Sequence, residues 1–495
     1  MNDAANRDTE RTTPAPTPVP TPDAAEDAGH RRVLDDLRTS ITGELIDRSH
    51  PGYDEARRVW NGMIDRRPIA VVKAGSVDDI APTLALAAEQ NLPLAIRGGG
   101  HNVAGNGTVD DGLVLDLAFL NGVEVDAATR TVRVAAGATL ARIDRATEPH
   151  NLAVPVGVVS NTGIAGLTLG GGVGWLTRAH GLTVDNLLAA EVVTVAGERV
   201  TASETENPEL FWGLRGGGGN FGVVTEFTFR AHPIPARPFT GTFVYPVPLW
   251  ESALAAYETW TQDLPDDLTS VVTFTVPPPV MELGDEPLML LGFAWATEDT
   301  DRAGRVVDDL RRAAPPAIEA TEPMSWPAWQ CSSDAIFPKG SRGYWRNSSF
   351  DRLDPDVIAA LIRRGTEQSW VGTGFDIHHL GGAFGRVPED ATPFPSRSAR
   401  YWLNIYGFWA AEADDAARTA FIRSFGAEVE PLGSGGRYVN FLGEERDANT
   451  VREAQQVYGG SKLGRLANLK RDYDPQNLLR HNHNILPAVA TGDAD

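Results

Sequence analysis

The sequence predicts an α+β chain in two parts, and three observations predict it. Between Pro68 and Glu148, apolar runs of strand length alternate with helical spacing, and a hairpin interrupts them, so the pattern is not a repeated βαβ array. Glycine clusters at residues 98–100, 163–174 and 216–222 adjoin those runs. After Pro233, proline-rich joints separate recurring strands from helices, the pattern of an antiparallel sheet covered by helices on one face.

A chain of 495 residues is too long for one core. With 42% hydrophobic and 22% charged residues it reads as globular. A formal charge of −22 argues against nucleic acid or an anionic membrane as partner, because phosphate calls for a basic patch. Cys331 is the only cysteine, which rules out an intramolecular disulfide and a cysteine metal cage. No H-E-x-x-H or metal-spaced histidine pair occurs, so no metal site is expected. None of Lys73, Lys339, Lys462 and Lys470 sits in a P-loop. No apolar run reaches spanning length and no signal-like apolar segment follows Met1, so the expected location is the cytoplasm.

Residues 1–30, with Thr-Pro repeats and an acidic Ala-rich piece, are expected to be disordered, because they cannot bury enough surface to offset ordering entropy. A first domain is expected over 31–235. It opens on an amphipathic helix through Leu34, Leu37 and Ile41, and Tyr53 and Trp60 follow as core or lid aromatics. Ile69–Val72 reads as a strand. Ser76 and Asp79 resemble a helix N-cap pair before the apolar face Ile80, Leu84 and Ala87. The run Leu92–Ile96 reads as a buried strand leading into Arg97-Gly98-Gly99-Gly100-His101-Asn102. Three glycines let the backbone turn and approach a ligand closely, successive amides there form an anion cradle, and the turn ends on a potential nucleophile. Leu113–Leu117 is a strand, the runs at Val123 and Thr131 form a hairpin, and Thr139 opens a helix. In residues 163–175 glycines alternate with apolar residues, which suits backbone packed against something flat or large.

A second domain is expected over 236–430, with a helix from Leu249 to Leu264 and strands at Leu288–Phe293, Tyr344–Arg346, Phe375–His379 and Tyr401–Trp409. The adjacent His378 and His379 point to opposite faces, so one can reach a cleft. Tyr401, Leu403, Ile405 and Trp409 share one face of their strand as core. Trp402, Asn404, Tyr406 and Phe408 share the other, which can line a pocket. Residues 431–495 are expected to return to the first domain. The cluster Gly217-Gly218-Gly219-Asn220-Phe221-Gly222 satisfies G-x-G-x-x-G, but a β-rich run follows where a Rossmann match needs a helix.

Together, Arg97-Gly98-Gly99-Gly100-His101, Ala165-Gly166-Leu167-Thr168-Leu169-Gly170-Gly171-Gly172, Asn220-Phe221-Gly222-Val223-Val224, Tyr473-Asp474-Pro475-Gln476-Asn477 and Asn482-His483-Asn484-Ile485-Leu486-Pro487 form a recognisable series. It resembles the FAD-linked oxidoreductases of the berberine-bridge-enzyme type, in the vanillyl-alcohol-oxidase / p-cresol-methylhydroxylase superfamily. The glycine block is most similar to that of 6-hydroxy-D-nicotine-oxidase-like bacterial members. The likeness covers about residues 65–235 and 436–488.

The resemblance implies a two-part FAD-binding domain of the p-cresol-methylhydroxylase type and a separate substrate domain. It places His101 as the histidine bonded covalently to FAD. Arg97, Gly98, Gly99, Gly100 and Asn102 fall in the turn around the pyrophosphate, and Gly163, Gly166, Gly170 and Gly174 in a glycine path along the cofactor. Val224 corresponds to an adenine-side contact, Asn484 to a C-terminal flavin contact and Tyr438 to an active-site base. A phenol titrating near 10 needs nearby positive charge to act as base. Three positions depart from the pattern. Val159 stands where many relatives carry a second tethering cysteine, so the bond through His101 is expected to be the only one. Thr162 replaces a valine that influences oxygen access, and Ser396 replaces a common histidine that bears on substrate. The implied activity is hydride transfer from an alcohol, amine or activated C–H substrate to FAD and then to dioxygen. A dehydrogenase with another acceptor and a non-catalytic flavin or metabolite binder are the alternatives.

Overall fold

The computed structural model describes residues 32–321, 323–443 and 450–489. The disorder expected for residues 1–30 lies outside them. The predicted opening helix forms over 32–40 and buries Leu34 and Leu37.

A four-stranded sheet follows, built from β1 (Glu44–Asp47), β2 (Ala70–Lys73), β3 (Leu94–Arg97) and β4 (Leu113–Asp116) in the order β1-β2-β4-β3. β2, β4 and β3 run parallel, and β1 closes the edge antiparallel. Parallel strands need long crossovers. The helix Ile80–Glu89 makes the one from β2 to β3, after the predicted Ser76/Asp79 capping box. The Asp79 carboxylate also accepts from the Thr42 and Gly75 amides, tying the sheet edge to the helix start.

The second sheet is antiparallel. Its strands are β5 (Val123–Asp126), β6 (Thr131–Ala135), β8 (Leu187–Val193), β9 (Arg199–Ser203) and β10 (Val223–Arg230), in the order β5-β6-β10-β8-β9. A short pair, β7 (Leu152–Ala153) with β11 (His232–Pro233), lies beside it. One core joins both sheets through Val72, Leu115, Val134 and Phe227. The same core takes in Val439, Leu466, Leu479 and Ile485 from the end of the chain.

The third sheet has seven antiparallel strands: β12 (Thr240–Pro246), β13 (Leu268–Thr275), β14 (Leu288–Trp295), β15 (Ile318–Ala320), β16 (Arg342–Phe350), β17 (Thr373–His379) and β18 (Tyr401–Trp409), ordered β15-β12-β14-β13-β17-β18-β16. Helices Trp250–Trp260, Thr300–Ala313, Pro355–Thr366 and Asp415–Val429 cover one face, packing Leu254, Val307, Leu361 and Ile422 on Phe243, Leu291, Leu403 and Ile405. The opposite face looks toward the glycine segments. Among the described residues no helix is long and apolar enough to cross a membrane.

Within the glycine block, Ile164–Gly170 coils into a short helix that was not predicted.

Candidate functional site

β3 ends at Arg97, and the chain turns through Gly98, Gly99 and Gly100 to present His101. Gly100 takes a φ of +66°, which a side chain would strain. Gly99 meets Gly163 backbone to backbone: a Cβ on either would lie within about 2.6 Å of the other's main chain. The turn and the start of helix Ile164–Gly170 therefore close on one another only because both positions are glycine. At Gly166, by contrast, a Cβ would meet nothing within 4 Å. Residues 163, 166 and 170 fall on one helix face, and that face opens on a cavity.

This cavity runs between the two parts of the molecule. Arg97, Gly98, Gly99, Gly100, His101, Asn102, Gly163, Gly166, Gly170, Val224 and Tyr438 all line it. Val159 and Thr162 lie on its wall as well. Two other expected positions do not. Gly174 packs on the Val156 carbonyl, 1.8 Å from where its Cβ would be, so it is glycine for a chain crossing and not for a cofactor path. Asn484 is half-buried off the cavity wall, its Oδ1 enclosed without a partner, while its neighbours His481, Asn482 and His483 line the wall. Ser396 is also remote. It sits at a φ of +57° and donates to the Gly435 carbonyl, so the substitution there acts on a loop and not on the cavity wall.

Arg97 reaches the wall through its aliphatic stem, which lies 3.3 Å from the Cβ position of Gly100. Its guanidinium is turned away, bonded to Asp116 at 2.8 Å and to the Ala56 carbonyl at 2.5 Å. Its charge thus holds the base of the turn and is not free for a phosphate. Asn102 accepts from the amides of Ala104 and Asn106 and shapes the exit from the turn. The backbone N–H groups of Gly98, Gly99, Gly100 and His101 find no acceptor among the described residues.

His101 stacks on Trp60, with ring centroids 4.4 Å apart. Its Nε2 is buried and unpartnered, and desolvation pulls its pKa down to about 4. The ring is therefore a neutral imidazole at neutral pH, the form with a nucleophilic nitrogen. Trp60 is fixed in turn: its amide donates to the Gly100 carbonyl, and its carbonyl accepts from Gly340. The Asn61 side chain bridges the Val103 carbonyl to both backbone groups of Gly343 on β16. The histidine turn is thereby pinned to the third sheet by two residues that precede the first glycine motif.

Tyr438 faces the cavity from the other side. Its oxygen accepts from the Gly172 amide at 2.9 Å and from Asn440 Nδ2 at 2.8 Å. Burial outweighs these bonds and pushes the phenol up to about 12. The positive charge that a phenolate base requires is absent from its described surroundings, so this group holds its proton.

β17 and β18 supply the far wall. Of the histidine pair, His378 lines the cavity. His379 points into the opposite side, 3.3 Å from Arg178 and 5.5 Å from the Tyr401 ring. On β18, Tyr401, Leu403, Ile405 and Trp409 enter the helix-covered core, while Asn404 faces the cavity. Asp376 was not singled out from the sequence. Two-residue periodicity would have found it, since it shares a strand face with His378. Phe337, Trp345 and Phe441 complete an aromatic lining, and no local signal marked them.

The comparisons with known proteins bear on this geometry. A family model described as FAD binding domain matches residues 68–203, and one described as berberine and berberine like matches residues 437–486. An FAD-linked oxidoreductase of Pyricularia oryzae is 30% identical over 452 residues, 83% of each chain. This chain belongs to the FAD-linked oxidoreductases of the berberine-bridge-enzyme type. The oxidoreductase superposes on 6-hydroxy-D-nicotine oxidase from Arthrobacter nicotinovorans with a TM-score of 0.81 and 26% identity, covering 91% of this chain and 99% of that one. Its α+β architecture is that FAD-binding fold with a large antiparallel sheet. Glucooligosaccharide oxidase from Acremonium strictum, described with a 6-S-cysteinyl, 8α-N1-histidyl FAD, shares the fold at a TM-score of 0.80 and 23% identity over 92% of this chain and 99% of its own. The cavity fits FAD. The free amides of the histidine turn suit a pyrophosphate, and Gly166 leaves room along the helix.

Proposed function

We propose that this oxidoreductase is an oxidase whose FAD is tethered covalently by His101 alone. It takes a hydride from an alcohol, an amine or an activated C–H bond of a small molecule and passes the electrons to dioxygen. The observation that carries the reading is the His101 imidazole on the cavity wall, neutral, stacked on Trp60 and carrying a buried, unpartnered nitrogen at the end of a cradle of free amides. Valine at position 159, on the same cavity wall, offers no second nucleophile. 6-hydroxy-D-nicotine oxidase, at 26% identity, bears the name oxidase, which supports oxygen as acceptor.

FAD, when bound, supplies hydride acceptance and electron delivery; the chain supplies placement. Gly98, Gly99, Gly100 and His101 offer amides to the pyrophosphate. Gly166 leaves room along the cofactor, Gly163 and Gly170 let Gly99 and Asn440 approach the same helix, and Val224 lies on the cavity's far side. Tyr438 stays protonated, and with two donors already on its oxygen its own proton is available to a substrate or cofactor oxygen. Phe337, Trp345 and Phe441 exclude water from the reacting region.

The purified protein run on a denaturing gel should keep flavin fluorescence in the protein band, and His101→Ala should release it. Retention of the band fluorescence in His101→Ala sinks the tether. Thr162 on the cavity wall favours a second reading, a dehydrogenase using a carrier. Anaerobic reduction followed by admission of air separates the two: reoxidation within seconds with release of peroxide belongs to an oxidase, and persistence of the reduced cofactor to a dehydrogenase.

A further inference from the structure

The contact of Gly99 with Gly163 sets a register between two loops. Two residues beyond Gly99 stands His101, and two residues before Gly163 stands Asn161. The close approach of the two glycine backbones brings the imidazole and the carboxamide to one place. There the Asn161 Oδ1 is buried without a donor, and the His101 Nε2 is buried without a partner. A carboxamide oxygen only accepts, whereas a ring nitrogen can carry a proton, so the two are complementary.

Both sides of this pair are held in place. Trp60 stacks on the ring with centroids 4.4 Å apart, which fixes the ring plane. The Asn161 loop is clipped on either side. The Asp334 carboxylate accepts from the Ser160 amide at 2.8 Å and from the Ser160 hydroxyl, and the Thr162 carbonyl accepts from the Leu140 amide at 3.0 Å. The surroundings make an imidazolium costly. Burial opposes the charged ring most, and the Lys339 charge opposes it too, while the backbone of His101 and the Asn161 side chain favour it. Among the described residues, Asn161 is thus the side chain that supports positive charge on this ring.

We infer that Asn161 is a positioning residue for covalent attachment of FAD: its Oδ1 accepts the imidazole N–H of His101 while the other ring nitrogen bonds to a methyl carbon of the flavin. The inference rests on the reading of His101 as the tether. A neutral imidazole has one N–H and one nitrogen lone pair. When that lone pair enters the new C–N bond, the ring still holds its N–H and becomes a cation. A hydrogen bond to a charged group is stronger than one to a neutral group. Asn161 therefore favours the attacking state over the resting one, which raises the rate of attachment. It acts through the histidine, since Val159 and Thr162 line the cavity and Asn161 does not. In the net step one methyl C–H bond and the imidazole N–H bond give way to one C–N bond. The two protons and two electrons released go to dioxygen, giving hydrogen peroxide.

The test follows the attachment itself. Wild type and variants are purified after a short expression and held in air at pH 8 with excess FAD. After free FAD is removed, absorbance of the native protein counts bound flavin, and absorbance of the acid-precipitated protein counts covalent flavin. Asn161→Leu should bind a full complement of FAD but attach it at least about tenfold more slowly than wild type. Asn161→Asp, which keeps an acceptor oxygen, should attach it faster than Asn161→Leu does. Slowing of less than about tenfold in Asn161→Leu, or an Asn161→Asp no faster than Asn161→Leu, overturns the inference. Asn161→Ala removes the acceptor without added bulk. Loss of bound FAD in step with covalent flavin in both Asn161→Leu and Asn161→Ala makes the residue merely structural and also overturns it. Covalent flavin in His101→Ala, or none in the wild type, removes the tether reading as well, whereas a fast Asn161→Leu removes this inference alone.

Discussion

His101 and Val159 share a cavity wall, and of these two side chains only the imidazole can bond to carbon. Val159→Cys restores a nucleophile where relatives carry one. The double variant His101→Ala with Val159→Cys should then keep flavin absorbance in the denatured, precipitated protein that His101→Ala alone loses. Asp144 gives a prediction of another kind. It lies on the helix Leu140–Thr147 with both oxygens buried and unpartnered, and desolvation raises its pKa from 3.8 to about 7. A raised folded-state pKa means that the group's contribution is fully present below about pH 4 and is lost as pH rises through about 7. Asp144→Asn should therefore stabilise the protein at pH 8, by an amount on the order of 3 kcal/mol, and leave it unchanged at pH 4. Denaturant unfolding at the two pH values checks this. At this scale the histidine turn was legible because glycine and histidine carry their chemistry locally. Tyr438 was legible as a position but not as a protonation state, since its burial and its bonds to Gly172 and Asn440 come from segments far apart in the chain.

Among the elements, the segment holding Trp60 and Asn61 does more than its sequence suggests. Asn61→Ala leaves the Val103 carbonyl and the Gly343 backbone groups without partners in a buried place. The expected loss is about 3 kcal/mol of stability, together with a lower covalent flavin yield as the His101 turn loosens. Thermal melting and the denatured-gel fluorescence measure the two effects. Trp60→Ala should lower the covalent yield with a smaller loss of stability, because the imidazole loses its stacking partner. β17 and β18 were legible from alternation, and the division of β18 into a core face and a cavity face followed from it. β13 was not read from the sequence, although like β17 and β18 it is buried at nearly every position. The helix Ile164–Gly170 escaped because its glycines are poor helix formers, and the close approach to Gly99 selects the conformation.

For the whole molecule, the end of the chain has to come back to the first core. Lys470 and Asp474 make that closure, fully buried, at 2.8 Å. The ammonium also donates to the carbonyls of Asn220 and Leu479, and the carboxylate takes the amides of Leu478 and Leu479. The Asn220-Phe221-Gly222 and Tyr473-Asp474-Pro475 motifs are therefore two halves of one joint. Lys470→Met strands a buried carboxylate and should cost about 3–5 kcal/mol in denaturant unfolding. The joint sets the cavity's far end, where His481, Asn482 and His483 line the wall.

The sequence by itself determined the α+β class, the FAD-linked family and the turn that ends on His101. Each is written in short contiguous patterns: strand runs, glycine clusters and motifs in a fixed order. Only the tertiary structure decided that Gly174 serves packing, that Arg97 is paired internally, that Tyr438 holds its proton, and that Asn161 faces His101. Those outcomes depend on burial and on partners drawn from distant segments. Desolvation and pairing are properties of the folded interior, and no local stretch of residues specifies them.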